Sequence, residues 1–226
     1  MEKVRIFIAG DSTASNYDQS KFPRAGWGQV IGSLLTKEVS IHNHASSGRS
    51  SKSFVEEGRL EKISTKLEKG DFFFIQFGHN DSKQDEKRYT DPFTSYKEYL
   101  RLYIEEARQK GANPILLTPI ERRGFHSDGS LVETHGYYPT AMRELAKEYH
   151  VPLIDITKKS KTLFEKLGPE KTKEIFLWIK QGEHVNYQEG VKDNTHLSEY
   201  GAKHIARLVL EGCKEKQILI ANYMIE

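Results

Sequence analysis

Five short, nearly continuous apolar runs constrain this chain most: Val4–Ala9, Val39–His42, Asp71–Phe77, Pro114–Leu117 and Val151–Ile154. Most are bounded by Gly, Pro, Asn or Asp, as buried strands usually are. Helical patterns lie between them, over Gly28–Leu35, Gly58–Leu67, Thr140–Tyr149 and Ser160–Leu167. Tyr96, Tyr99, Leu100, Tyr103, Ile104 and Ala107 recur at three- and four-residue steps until Gly111 stops the pattern. A last helix carries Ala202, Ile205, Ala206 and Val209 on one face. Strands alternating with helices predict an α/β fold, a parallel sheet with helices on both faces. In such sheets the reactive groups lie at the carboxyl ends of the strands. The places to look are therefore just after Ala9, His42, Phe77, Leu117 and Ile154. Two longer irregular segments, Glu121–Tyr137 and Leu177–Lys192, are also expected to be functional loops.

With 226 residues the chain predicts one domain spanning 1–226, large enough to bury a core without disulfides or a structural metal. Thirty-four Lys and Arg stand against 32 Asp and Glu, a net charge of +2. That balance gives no support from charge for a nucleic-acid partner. No stretch approaches the ~20 apolar residues a membrane span needs, so no membrane partner is expected. Met1-Glu2-Lys3 leads straight into an apolar strand rather than the long apolar segment of a secretory signal. The single Cys213 forbids an intrachain disulfide and reads as a helix-packing residue, since no activating motif surrounds it. A cytoplasmic setting is the expectation.

Four motifs could carry chemistry. The first strand ends in Gly10-Asp11-Ser12-Thr13, which holds a Ser at the sheet rim as a nucleophile or as a turn and cap residue. A Ser hydroxyl is a weak nucleophile and needs a base. The second strand is followed by Ala45-Ser46-Ser47-Gly48-Arg49-Ser50, where Gly48 permits close backbone approach and an exposed N–H, or simply makes a turn. The third is followed by Gly78-His79-Asn80-Asp81, where the Asn80 amide could face a developing oxyanion or Gly and Asn could form a turn. Asp193-Asn194-Thr195-His196 stands just ahead of the last helix. Asp and His three apart can share one face of a single turn, so that the carboxylate holds one ring nitrogen and frees the other as a base. A capped helix start with a solvated His is the alternative.

Taken together and in this order, the Ser, Gly, Asn and His motifs resemble the SGNH (GDSL-like) hydrolase superfamily from residue 4 to about 212. The Gly10-Asp11-Ser12-Thr13 opening, Phe77-Gly78-His79-Asn80-Asp81 and Asp193-Asn194-Thr195-His196-Leu197 look most like the rhamnogalacturonan acetylesterase family. The resemblance implies a flavodoxin-like three-layer α/β/α sandwich with a five-stranded parallel sheet of order 2-1-3-4-5. It also implies a serine esterase that removes acetyl groups from pectic oligosaccharide by two-step acyl transfer. Ser12 would be the nucleophile, His196 the base and Asp193 its orienting carboxylate. The oxyanion would meet the N–H of Ser12, the N–H of Gly48 and the amide of Asn80.

Asp11, Arg49 and His79 are the candidates for substrate contact, with loop positioning the other role for Asp11 and support of the oxyanion loop the other role for His79. Phe125, Tyr137 and Tyr138 could stack on sugar rings, and His126, His135 and His184 lie in the two long loops. His42 and His44 read as packing and surface residues, since no carboxylate or Cys completes a metal site beside them. No cofactor or metal is implied, and the expected partner is an acetylated oligosaccharide substrate. The catalytic set is shared by esterases of acetylxylan-type sugars or short-chain acyl esters, and a non-catalytic carbohydrate-binding module on the same fold is a third reading. The apolar run Ile218–Ala221 is expected to pack on the sheet or to meet a second subunit.

Overall fold

The computed structural model describes residues 4–225; Met1-Glu2-Lys3 and Glu226 lie outside the described residues. Five parallel strands form the central sheet: β1 (Val4–Gly10), β2 (Val39–Asn43), β3 (Phe72–Gln76), β4 (Asn113–Leu117) and β5 (Leu153–Ile154). Their order is β2-β1-β3-β4-β5, as expected. The inner strands β1, β3 and β4 read as nearly continuous apolar runs because both faces of the sheet are covered there, while the edge strand β2, Val39-Ser40-Ile41-His42-Asn43, is only half-buried. Successive residues alternate between the two sides. Ile6 and Ile8, Phe72 and Phe74, Ile115 and Leu117 belong to one buried cluster. Phe7 and Ala9, Phe73 and Ile75, and Leu116 belong to the other.

The first cluster is closed by α1 (Trp27–Val30), by α6 (Ile156–Lys171) through Phe164, and by α7 (Glu199–Glu215) through Ala202, Ile205, Ala206 and Val209. The second is closed by α2 (Ser51–Glu56), α3 (Arg59–Ser64), α4 (Ser95–Gln109) and α5 (Tyr138–Glu148). On α4 the expected stripe of Tyr96, Leu100, Tyr103, Ile104 and Ala107 is wholly buried; Tyr99 is not part of it and instead bonds Glu56 through its hydroxyl. Cys213 is buried among apolar neighbours on α7, and burial pushes its thiol up to about 12, which leaves it an inert packing residue.

Three readings of the sequence need correction. Gly28–Leu35 is not one helix: α1 is a single turn, continued by a 3-10 turn over Ile31–Leu34. The segment 177–192 is irregular over 180–190, as expected, but both of its ends are strands. β6 (Phe176–Ile179) and β7 (Val191–Leu197) pair antiparallel as a separate two-stranded sheet, with a long connection at its tip. Asp193 and His196 therefore sit on a strand, and the turn they share is a bulge in that strand. Finally, α2 escaped the apolar pattern, although Ser50 caps it reciprocally with Ser53.

The C-terminal run turns back on its own chain. Ile218 and Ile220 join the first cluster, Met224 bridges Leu35, and Ile225 N–H donates to the Leu34 carbonyl.

Candidate active site

The sheet order decides which motifs meet. β1 is flanked by β2 and β3, so the turns after these three strands are neighbours at one end of the sheet. The turn after β1 is fixed from several directions. The Asp11 carboxylate accepts the N–H of Thr13 at 2.8 Å, and the Asp11 carbonyl accepts the Ser15 hydroxyl at 2.8 Å. The Ser12 carbonyl accepts the Tyr17 hydroxyl at 2.7 Å, and that hydroxyl accepts Arg24 Nη2 at 2.9 Å. Both peptides flanking Ser12 are thus held by hydrogen bonds. A methyl group on Gly26 would lie 2.3 Å from the Ser15 carbonyl oxygen, so only glycine lets the start of α1 pack against this turn.

Gly48 has φ +81, a left-handed conformation that favours glycine. Among the described residues no acceptor engages the N–H of Ser12 or of Gly48. Asn80 spends one amide hydrogen on the Arg49 carbonyl at 3.0 Å, which ties the turn after β3 to the turn after β2 and leaves the second hydrogen free. Asp81 anchors the same junction, accepting the Ser51 N–H at 3.0 Å.

The fourth motif arrives from the small sheet. Phe176 pairs with Leu197 and Leu177 with Asp193, so residues 194–196 bulge out of the ladder. Asp193 Oδ1 shapes this bulge by accepting the N–H groups of Thr195 and His196 at 2.8 and 2.9 Å. Its Oδ2 lies 2.6 Å from His196 Nδ1, and His196 Nε2 lies 3.0 Å from Ser12 Oγ. Burial pushes the Asp193 carboxyl up, but the bonds from His196 and Thr195 outweigh it and hold the group at about 2. A charged carboxylate can only accept, so the imidazole proton belongs on Nδ1 and Nε2 accepts from the Ser12 hydroxyl.

Two features hold the bulge in place. Ser198 caps α7 by accepting the Gly201 N–H and donates to the Glu174 carbonyl; a methyl group on Gly201 would lie 1.9 Å from the Ile175 oxygen. On the outer side, Arg123 donates its backbone N–H to the Asn194 carbonyl (2.9 Å), Nη1 to Asn194 Oδ1 (3.3 Å) and Nη2 to the Pro169 carbonyl (2.8 Å). Trp178 Nε1 donates to the same Asn194 oxygen at 2.9 Å. Sequence reasoning missed Arg123, Asn194 and Trp178 as a unit, because they come from three separate segments and form no local pattern.

The three substrate-contact candidates fare differently from expectation. Asp11 is fully buried and His79 is 2% exposed, so neither reaches a substrate; both belong beneath the site. Asp11 builds the turn that carries Ser12. The His79 ring packs edge-on against His135 at 4.5 Å, and its carbonyl accepts Arg122 Nη2 at 3.1 Å. Burial drives both imidazoles well below their ordinary range, so they are neutral, and His135 is likewise closed to substrate. Arg49 is half-exposed, but its guanidinium is engaged by Glu57 at 3.0 Å and by the Ser47 carbonyl at 2.8 Å. His42 and His44 stack over Phe7, as packing residues should.

A serine hydroxyl, an imidazole acceptor and a charged carboxylate in one line, beside three unused donors, is an arrangement suited to acyl transfer. Residues 6–209 match the family model described as GDSL-like lipase/acylhydrolase. The chain belongs to that family. Within this GDSL-like family, it is 45% identical to the rhamnogalacturonan acetylesterase RhgT of Bacillus subtilis, over 98% of this chain and 94% of RhgT. It is 42% identical to the probable rhamnogalacturonan acetylesterase YesY of the same organism, over 98% of this chain and 97% of YesY. The crystal structure of YxiM from Bacillus subtilis superposes with a TM-score of 0.83 at 30% identity, covering 96% of this chain. This chain spans 58% of that YxiM chain.

Proposed function

We propose that this protein is a serine acetylesterase acting on acetylated rhamnogalacturonan-type oligosaccharides, with Ser12, His196 and Asp193 as its catalytic residues. The observation that carries the reading is the unbroken line from Asp193 Oδ2 through His196 to Ser12 Oγ, at 2.6 and 3.0 Å. Near-full-length similarity to RhgT and YesY supports the substrate class.

In the first step Ser12 Oγ attacks the acetyl carbonyl carbon while His196 Nε2 takes the hydroxyl proton. The imidazolium that forms is stabilised by the charged Asp193. The carbonyl oxygen becomes an oxyanion, met by the N–H of Ser12, the N–H of Gly48 and the free amide hydrogen of Asn80. Collapse breaks the bond to the sugar oxygen, which takes the proton from His196 and leaves as an alcohol. Acetyl is now bonded to Ser12. Water then attacks this ester as His196 removes a water proton, and a second collapse returns the proton to Ser12 Oγ and releases acetate.

The test is acetate release from acetylated rhamnogalacturonan oligosaccharide, acetylated xylan and a chromogenic acetyl ester, with wild type and Ser12→Ala. Selective release from the pectic substrate, abolished in Ser12→Ala, is expected. Activity confined to the xylan or the chromogenic ester would overturn the substrate, and activity surviving in Ser12→Ala would overturn the nucleophile.

A further inference from the structure

The near-neutral total charge conceals a concentrated positive patch beside the His196 bulge. Three cations surround one indole: Arg123 Cζ at 4.6 Å, Lys173 Nζ at 5.0 Å and Lys192 Nζ at 5.9 Å from the Trp178 ring centroid. Lys173 pairs with Glu170 at 2.7 Å. Arg123 spends its guanidinium hydrogens on neutral oxygens, those of Pro169 and Asn194. Lys192 is exposed and makes no hydrogen bond or ion pair among the described residues. The nearest carboxylate along the chain, Asp193, is consumed by the bulge and by His196. Three positive charges against the carboxylates of Glu170 and Asp193 leave the patch at about +1, held against one ring, with Lys192 the cation that has no ion-pair partner among the described residues.

The patch abuts the catalytic line. Asn194, which binds both Arg123 and Trp178, directly follows Asp193 and stands two residues before His196. Lys192 directly precedes Asp193 and pairs with Trp178 in the ladder. Like charges gathered at a rim repel each other unless an anion neutralises them, and they raise the local concentration of an anionic ligand. We propose that Lys192, on the Trp178–Arg123 platform, is the receptor for a uronate carboxylate of the sugar chain whose acetyl group is delivered to Ser12. The inference rests on the rhamnogalacturonan-type reading of the substrate proposed above, an oligosaccharide whose galacturonate units carry carboxylates. Lys192 supplies the free N–H donors. Arg123 and Lys173 supply a fixed positive field, and the clamp on Asn194 keeps that field in register with the bulge.

The experiment measures binding, so it does not depend on turnover. Ser12→Ala is titrated calorimetrically with acetylated rhamnogalacturonan oligosaccharide and with the same oligosaccharide after its carboxyl groups are reduced to alcohols. The carboxylate form is expected to bind about tenfold more tightly. Ser12→Ala/Lys192→Glu should abolish that preference, and Ser12→Ala/Lys192→Arg should keep most of it. Raising the salt from 0.1 to 1 M, which shortens screening from about 10 to about 3 Å, should shrink the preference in the Ser12→Ala protein. Equal binding of the two forms by Ser12→Ala, no binding of either form, or a preference that survives Lys192→Glu would each overturn the inference. Failure of the substrate reading shows separately, as a wild type that releases no acetate from the acidic oligosaccharide while the carboxylate preference in binding persists.

Discussion

Replacing Asp193 by Asn tests the catalytic line with almost no change of shape. Asp193 makes three bonds, two from backbone N–H groups to Oδ1 and one from His196 Nδ1 to Oδ2. An Asn can keep its oxygen on the two N–H groups, but its NH₂ then faces Nδ1. Nδ1 must become an acceptor, the imidazole proton moves to Nε2, and the ring can no longer take the Ser12 proton. The alternative is to flip the amide so that its oxygen faces Nδ1–H. The NH₂ then meets the N–H groups of Thr195 and His196, which forfeits two bonds of about 1 kcal/mol each. In the transition state the variant also lacks the negative charge opposite the imidazolium. At a charge separation of about 4 Å and an effective dielectric of about 20 that charge is worth about 4 kcal/mol. The sum, roughly 6 kcal/mol, corresponds to about a 10⁴-fold loss of kcat. The serine-protease triad loses about as much on the same substitution, and removal of the histidine costs more. The assay is steady-state hydrolysis of a chromogenic acetyl ester by Asp193→Asn, with a thermal melt to confirm the fold. A kcat within tenfold of wild type, in a protein that melts normally, would refute the reasoning.

Other perturbations probe other parts of the site. Asn80→Ala should lower kcat on the same ester by about 10²–10³, with KM much less affected, since it removes one oxyanion donor. Arg123→Ala releases Asn194 from its clamp and should lower kcat on a small neutral acetyl ester by roughly 10-fold to 100-fold through misalignment of His196; Arg123→Lys should not restore it, because an ammonium lacks the planar fork that spans Pro169 and Asn194. Asp81 gives a pH prediction. Burial raises its carboxyl from 3.8 to about 7 against the bonds from Ser51 and Thr90, and the nearby Asp11 pushes it the same way. Its folded-state value lies above its unfolded one, so this contribution to stability is full below about pH 4 and lost as the pH rises through about 7. The span corresponds to roughly 4 kcal/mol. Unfolding midpoints in urea should therefore fall between pH 5 and pH 8, and Asp81→Asn should flatten that slope; an unchanged slope would show that another group controls it.

The parts of the molecule that could be read from sequence are those where chemistry coincides with local pattern. β1, β3 and β4 are buried on both faces, so their apolar runs are continuous and unmistakable. Ser12, Gly48 and Asn80 then fall at strand ends, where parallel sheets place reactive groups. The β6–β7 hairpin was hidden because Val191-Lys192-Asp193-Asn194-Thr195-His196-Leu197 is mostly polar and breaks its own alternation at the bulge. The burial of Asp11 and His79 was hidden for a different reason. Both follow strands at positions that look exposed, and the 118–137 loop and its His135 close over His79 from far along the chain.

The site is thus built from two halves with different physical supports. The proposed nucleophile Ser12 and the three proposed oxyanion donors belong to turns anchored in a doubly covered sheet, where Phe7, Phe73, Phe74 and Ile75 are fully buried. The acid–base half hangs from a two-stranded hairpin, and a ladder of that size is marginal by itself. Its alignment rests on polar clamps instead: the Arg123 bonds to Asn194, the Ser198 bond to Glu174, and the contact of Gly201 with Ile175. A core substitution that loosens the large sheet should therefore lower stability before it alters kcat. A clamp substitution should move the 3.0 Å contact between His196 and Ser12, and with it kcat, at little cost in global stability. Lys192 and Trp178 sit on the clamped half, so an anionic sugar bound there would add its own hold on the bulge at the moment its ester reaches Ser12.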